Sequence, residues 1–132
     1  MNKQQYQLLT GGGVQAWNKW RAGEGVSSYV DLSGADLTGA DLREAALHEA
    51  NLNGAILRDS DLRDANLSDA ILCWAKLNGA NLACANLHRA NFRSADLSGA
   101  ILRWANVSQA SLREASMDFA DLTGANLSGA TR

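Results

Sequence analysis

Apolar and polar positions along this chain repeat with a period of five residues over most of its length. From Leu32 to Leu127, every fifth residue is the centre of a repeat, and seventeen of the twenty centres are Leu. Ala lies two residues before eighteen of the twenty centres. Residues 30–129 are therefore twenty consecutive five-residue repeats without an insertion or a deletion.

This period fits neither a helix nor a straight strand. Five residues turn an α-helix by about 500°, so the centres would lie on all of its sides. In a strand, a step of five places successive centres on opposite faces. The Ala and the centre of one repeat are two residues apart and share one side of a short extended segment. The chain must therefore turn once per repeat.

The second residue after each centre is predicted to form the turn. Gly occupies this position in seven repeats and supplies the positive φ that a type II turn requires. Larger side chains predict a different turn in their repeats. They are Trp74, Arg89, Trp104 and Phe119.

A short side and a corner, repeated along the chain, build a solenoid of stacked coils. With their Ala-Asp/Asn-Leu-X-X repeats, residues 30–129 resemble the pentapeptide-repeat proteins. The resemblance implies an all-β fold, a right-handed quadrilateral β-helix with four repeats per coil and a tower about 24 Å tall. The five four-sided coils would be 30–49, 50–69, 70–89, 90–109 and 110–129.

The centres are predicted to stack inside the solenoid as four columns of apolar side chains. A core filled so regularly leaves no interior cavity for a substrate, and we expect no cofactor. The Asp and Asn residues that precede the centres suit hydrogen bonds to nearby backbone. We interpret them as structural residues and not as catalytic acids or metal ligands. They are residues 36, 41, 51, 61, 66, 81, 86, 91, 96, 106, 121 and 126.

Residues 1–29 break the pattern and are predicted to form a short α-helical cap and lead-in. Asn2 is the expected N-cap of a helix through Leu9, and a second helical segment at 14–23 stops at Gly23. The end of a solenoid exposes apolar core and needs a cover, which we favour over a binding helix. The cap residues are predicted to be Leu9, Val14, Trp17 and Trp20.

This first segment also resembles the lead-in of pentapeptide proteins that are common in cyanobacteria. At the other end, the repeats reach Gly129 and only residues 130–132 follow as a tail. We hypothesise self-association through this uncapped last coil, 110–129.

Chemistry must be sought among the outward side chains. With twenty residues per coil, His48, Ser68 and His88 share one column, but the two His residues are two coils apart, about 9.5 Å. That distance is too long for both to bind one metal ion, and the surface is convex. We therefore expect a solvated ladder, with neither a catalytic nor a metal site. The column of Arg43, Arg63 and Arg103 is expected to be neutralised by neighbouring acids.

Apolar residues at outward positions are more informative. Exposed Trp beside Arg and aliphatic residues is typical of interaction surfaces. The alternative is that these residues only cover backbone at loose corners. One candidate protein-binding surface contains Ile101, Arg103, Trp104, Cys84 and Phe119, and a smaller group on the opposite side contains Ile71 and Trp74.

Composition narrows the class of protein. The net charge of −2 offers no basic surface for nucleic acid, and no stretch resembles a signal peptide or a membrane span. Cys73 and Cys84 lack CxxC spacing, so a cytoplasmic protein is expected.

Together these features favour a non-enzymatic protein–protein interaction or scaffold module with an unidentified protein partner. The resemblance implies a role of the kind that some family members have in regulating cyanobacterial cell differentiation. It also implies an alternative, a DNA-mimicking protein that interacts with gyrase or another topoisomerase. Such proteins are usually longer and more acidic than this chain.

Overall fold

The computed structural model describes residues 1–24 and 27–132 and begins with one helical element, α1, at Lys3–Ala22. The Asn2 side chain accepts a hydrogen bond from the Gln5 N–H at 3.1 Å. Asn2 is therefore the N-cap that the sequence predicts. Positions 25 and 26 of the predicted lead-in lie outside the described residues.

A glycine interrupts α1 between the two predicted helical segments. Gly13 has a φ of 79° and a ψ of 175°, which are not helical angles. The first segment therefore continues beyond the predicted end at Leu9, because only the last of the three consecutive glycines leaves the helix. At the far end of α1, the Gly23 N–H donates to the Trp20 carbonyl at 3.1 Å, as expected of a helix stop.

Beyond α1 the chain forms a stack with four sides. Parallel β-bridges with a constant spacing of twenty residues run from Asp31–Asn51 to Ser111–Thr131. Every centre from residue 32 to 112 donates its N–H to the carbonyl nineteen residues further on. Four five-residue repeats therefore separate paired residues, and each side of the stack pairs with the equivalent side of the next turn.

The centres fill the interior of the stack. Those from Leu32 to Leu112 are at most 3% exposed, and each buried Leu stabilises the fold by about 1.5–3 kcal/mol. The coverage decreases in the last repeats, where Met117 and Leu122 are partly buried and Leu127 is 37% exposed.

One backbone turn serves all the corners, so the prediction of a different turn at the large side chains is wrong. Trp74, Arg89, Trp104 and Phe119 have φ values of 57° to 61°, close to the 64° to 74° of the corner glycines. At each corner the residue after the turn donates its N–H to the centre carbonyl three residues earlier. This bond and the positive φ are those of a type II turn. The ladder bonds to neighbouring coils hold the backbone in this conformation whichever side chain is present.

Asp or Asn residues before thirteen of the centres hold the start of their turns, and these include all twelve that the sequence predicts to be structural. Each of them accepts a hydrogen bond from the N–H two residues further on, an arrangement known as an Asx turn. The accepting residues are 31, 36, 41, 51, 61, 66, 81, 86, 91, 96, 106, 121 and 126.

Helix α1 lies against the first turn of the stack. Leu9 and Trp17 belong to the buried core, and Val14 and Trp20 pack against it. The ring centroids of the two Trp residues are 5.0 Å apart. The four residues predicted to form a cap thus lie in the core or against it at the amino-terminal end of the stack.

Candidate functional site

The exposed aromatic surface is centred on one repeat. Ile101, Arg103 and Trp104 project from residues 100–104, and Cys84 lies one turn away, since its N–H donates to the Arg103 carbonyl at 2.8 Å. Trp104 is 67% exposed and Ile101 37%. With Phe119, these residues are called the Trp104 surface below.

Neighbouring residues hold the Trp104 surface in shape. The indole of Trp104 lies directly on Gly124, where it occupies the space of a possible Cβ atom. The Arg103 Nε is 2.6 Å from Asp121 Oδ2. Hydrogen bonds from the Thr123 hydroxyl and N–H, and then from Arg103, lower the pKa of Asp121 to about 2. The Asp121 carboxylate therefore stays ionised, and available to pair with Arg103, at any pH well above 2.

Phe119 occupies the preceding corner and is 97% exposed. It belongs to the following turn, because the Gly99 N–H donates to the Asp118 carbonyl at 2.8 Å. No ring contact joins it to Trp104 in the part of the chain that the structure describes. The two aromatic side chains are therefore separate contact points on adjacent corners.

The second predicted group contains Ile71 and Trp74. Trp74 is 63% exposed and Ile71 38%, and both project from the repeat 70–74. Cys73 between them is buried, whereas Cys84 is exposed, and both thiols are free. This group lies two sides away from the Trp104 surface, so the structure leaves the two groups apart.

In the column of His48, Ser68 and His88, Ser68 contacts neither histidine side chain and donates to Asn66 at 2.8 Å. The His88 Nδ1 lies 2.8 Å from the hydroxyl of Ser108, one turn further on, and that hydroxyl donates to Asn106 at 2.6 Å. His48 faces α1 instead. Among the described residues, no group of three His, Cys, Asp or Glu side chains could hold a metal ion.

His48 contacts a cation of α1. Its Nε2 lies 2.6 Å from the Arg21 Nη2, which also donates to the His48 carbonyl at 3.1 Å. Burial lowers the pKa of His48 below its ordinary value of 6.5, and the charge of Arg21 lowers it further. The neutral imidazole therefore serves as an acceptor that fastens α1 to the stack.

Arg and Asp side chains neutralise one another on the side that carries Trp104, as the sequence predicts. Arg43 and Arg63 contact Asp41 and Asp61 at 2.7 and 2.6 Å. The hydrogen bond from the Arg43 side chain is the main reason that the pKa of Asp41 falls to about 2. The exposed end of the column is thus a set of fixed ion pairs.

A cleft that the sequence analysis missed lies between α1 and this charged column. It has a volume of about 790 Å³. Its existence depends on where α1 docks, and the break at Gly13 is the only sequence signal near it. We call it the α1 cleft. It is lined by Leu9, Thr10, Gly13, Val14, Gln15 and Asn18 of α1 and by residues 40–44, 63 and 64 of the stack.

None of the helical structure in the described part of the chain combines the length and the apolar character needed to cross a bilayer.

Comparison with known proteins identifies the repeat. Residues 28–64, 70–109 and 100–131 match the family model of pentapeptide repeats, with 8 copies. No curated protein matches the chain.

Solved structures of pentapeptide repeat proteins are similar to this one. Rfr23 from the cyanobacterium Cyanothece 51142 is 26% identical, with a TM-score of 0.68 over 89% of this chain and 93% of that chain. A protein of the Arabidopsis thaliana thylakoid lumen is 34% identical, with a TM-score of 0.55 over 82% of this chain and 68% of that one. HetL of Nostoc sp. strain PCC 7120, involved in regulating heterocyst differentiation, is 40% identical, with a TM-score of 0.46 over 76% and 59%.

Proposed function

Since this chain belongs to the pentapeptide-repeat family, we propose that it is a protein-binding module that contacts its partner through the Trp104 surface. Proteins of this family form right-handed quadrilateral β-helices and are generally structural or interaction modules. The proposed role is therefore non-enzymatic, with an outward surface that differs from repeat to repeat as the element of recognition.

The observation that carries this proposal is the exposure of large aromatic side chains at corners whose positive φ, shared with eleven other non-glycine corners, favours glycine. Trp104 and Phe119 have φ values of 59° and 61°, where an L-residue costs about 1–2 kcal/mol relative to glycine. Their side chains recover little of this cost, since they are 67% and 97% exposed. Aromatic residues at such positions are consistent with a gain in free energy when a partner binds. Trp side chains that become buried on binding are typical of protein interfaces.

The competing explanation is that Trp104 only covers the backbone of its corner. Its contact with Gly124 is consistent with that role. This explanation does not account for Phe119, because the Phe119 side chain is almost completely exposed and covers little backbone. Trp74 is a second candidate contact with the same backbone conformation.

Affinity capture from an extract of the host cell tests the proposal. The immobilised chain should retain a partner that Trp104→Gly and Ile101→Asp variants lose. Arg89→Gly is the control, because it removes a long exposed side chain from the same turn position on another side. Trp74→Gly then tests the second candidate contact separately. If the partner remains bound to both Trp104 surface variants, this surface is not the binding site.

A separate assay addresses the DNA-mimicry alternative. A supercoiling assay with DNA gyrase should show neither inhibition by the chain nor protection from a gyrase inhibitor. The net charge of −2 supports this expectation, because a DNA mimic needs an extended acidic surface. Inhibition at stoichiometric concentrations would favour the alternative.

We further propose the division of the chain into a cap at 1–29, five coils at 30–129 and a tail at 130–132. The constant bridge spacing from Asp31 to Thr131 supports it. Hydrogen exchange should then be slow at the centre amides from 32 to 112 and fast at 117, 122 and 127. Fast exchange beginning before Leu97 would mean fewer stable coils.

Self-association through 110–129 is also part of the proposal. The N–H groups of Met117, Leu122 and Leu127 have no hydrogen-bond partner among residues 1–24 and 27–132. An unpaired edge beside partly exposed Leu favours contact with a second copy. Light scattering that gives only monomer at high concentration would contradict it.

A cytoplasmic location completes the proposal. Cys73 and Cys84 are free thiols, as is usual in a reducing compartment. One similar protein is from the thylakoid lumen, so cell fractionation with antibody detection is the appropriate test.

A further inference from the structure

Helix α1 pairs the exposed edge of the first coil on some sides of the stack. At Ala46, the Trp17 Nε1 donates to the carbonyl at 2.9 Å and the Asn18 Oδ1 accepts from the N–H at 2.8 Å. The N–H and carbonyl of Asp31 are also both paired with residues near the start of α1. On these two sides the cap replaces the missing coil above.

The side that contains Asp41 is different. Neither the N–H nor the carbonyl of Asp41 has a hydrogen-bond partner within the described ranges 1–24 and 27–132, and the Arg43 carbonyl has none either. One coil further on, the Asp61 N–H donates to the Ala40 carbonyl at 2.9 Å and its carbonyl accepts from Leu42 at 2.8 Å. Residues 41–43 are therefore an open edge of the ladder.

The α1 cleft opens onto this edge and has one uncompensated acidic end. Glu44 and Asp64 both line the cleft, and neither forms a salt bridge in the described part of the chain. They stack on the same corner in successive coils, about 4.8 Å apart. The neighbouring Arg43 and Arg63 are neutralised by their own aspartates. The remaining charge at this end of the cleft is negative.

We propose that the α1 cleft binds an extended segment of a partner protein as an added rung above 41–43, with a Lys or Arg side chain beside Glu44 and Asp64. The mode of binding is the addition of a strand to an open edge. All bridges in the stack are parallel, so the added segment runs in the same direction as 41–43. Its basic residue therefore lies at its carboxyl end.

The hydrogen-bond pattern of the stack predicts which bonds the added segment forms with residues 41–43. A centre donates to the carbonyl nineteen residues on, so the middle residue of the segment donates to the Asp41 carbonyl. The residue two positions later donates to the Arg43 carbonyl and stacks above Glu44. The carbonyl two positions before the middle residue accepts from the Asp41 N–H. The middle side chain is apolar, because it lies beside Leu9 and Leu42, which line the cleft.

This site is separate from the Trp104 surface but lies on the same side of the stack. Trp104 follows Asp64 by two coils, about 10 Å along the axis. One partner can therefore contact both, while each contact can be measured alone.

The probe is an acetylated and amidated tetrapeptide of serine, valine, serine and lysine, titrated into the ¹⁵N-labelled full chain. Its acetyl carbonyl, valine N–H and lysine N–H supply the three bonds. We expect a saturable shift of the Asp41 amide and slower hydrogen exchange there. The double variant Glu44→Gln, Asp64→Asn should weaken binding about fivefold, the effect of losing one to two exposed ion pairs.

The control variant is Glu49→Gln, Asp69→Asn, which changes the same residue types at the same turn position on the next corner. It should bind the peptide as the unmodified chain does. Replacing the peptide's lysine by glutamate, or methylating the valine nitrogen, should abolish the shift at Asp41.

Equal binding of the lysine and glutamate peptides would overturn the proposal, and so would an unchanged Asp41 amide at saturating peptide. The variant Trp104→Gly should bind the peptide normally. A failure of the Trp104 surface in the capture experiment is therefore distinguishable from a failure of this cleft.

Discussion

The interior and the corners of this stack obey different rules. Interior positions from Leu32 to Leu112 hold nearly one kind of side chain, and all are buried. The corners share one backbone conformation and hold Gly, acids, Arg, Cys, Trp and Phe. Side-chain identity is thus restricted in the interior, where it determines packing. It varies at the corners, where only the backbone conformation is constrained. The interior specifies the fold, and the corners are where members of such a fold can differ.

The largest expected effect is in the interior. Leu72→Ala removes a fully buried side chain and should lower the free energy of unfolding by about 2–5 kcal/mol in a denaturant titration. Leu127→Ala is the control at an equivalent position that is 37% exposed, and its loss should be clearly smaller. Equal losses would show that burial at the centres does not determine stability.

A corner glycine covered by an aromatic ring should be next. Gly124→Ala places a methyl group at a φ of 71° and against the ring of Trp104, so we expect a loss of about 2 kcal/mol and a change in tryptophan fluorescence. Gly99→Ala has the same kind of turn with open space around it, and should cost about 1 kcal/mol without a fluorescence change. Identical effects would mean that the ring does not rest on Gly124.

The reverse exchange at an exposed corner should stabilise the chain slightly. Phe119→Gly relieves the positive φ and loses little packing, and the greater freedom of unfolded glycine offsets part of the gain. We expect the free energy of unfolding to rise by about 0.5 kcal/mol. A decrease in the thermal midpoint would show that Phe119 contributes to folding.

The smallest effect should be a dependence on pH at His48. Its folded-state pKa lies below the ordinary 6.5, so the unfolded chain binds the proton more readily. The contribution of His48 to stability is therefore complete above pH 6.5 and decreases as the pH falls below that value. Unfolding curves at several pH values should show this loss, and His48→Gln should remove it. His88→Gln is the control and should leave the loss in place.

The repeating part of the fold could be predicted because the interactions that form each repeat are made by residues close together in the sequence. The centres from Leu32 to Leu112 are all buried in the same way, and Asp36 or Asn66 binds the N–H two residues on without help from distant residues. The turn at Trp104 could not be predicted from local preference. The hydrogen bonds of the ladder outweigh the cost of its positive φ.

The α1 cleft could not be predicted because it is a product of docking. Its walls meet only when Trp17 and Asn18 bind Ala46, across about thirty residues of sequence. The sequence placed His48 in a column with Ser68 and His88, whereas the structure directs it to Arg21. Both cases involve α1, the part of the chain without a repeat from which to infer its neighbours.

Because bridged residues are always twenty apart, the number of five-residue repeats before a residue determines which side of the stack that residue faces. Removing one whole coil upstream of Trp104 would shorten the stack by about 4.8 Å and leave that side chain facing the same way. Removing a single repeat of five residues would leave the interior equally well filled, but it would rotate Trp104 to the adjacent side. Evolution by loss or duplication of repeats can therefore redirect a binding surface in quarter turns without altering the residues that form it.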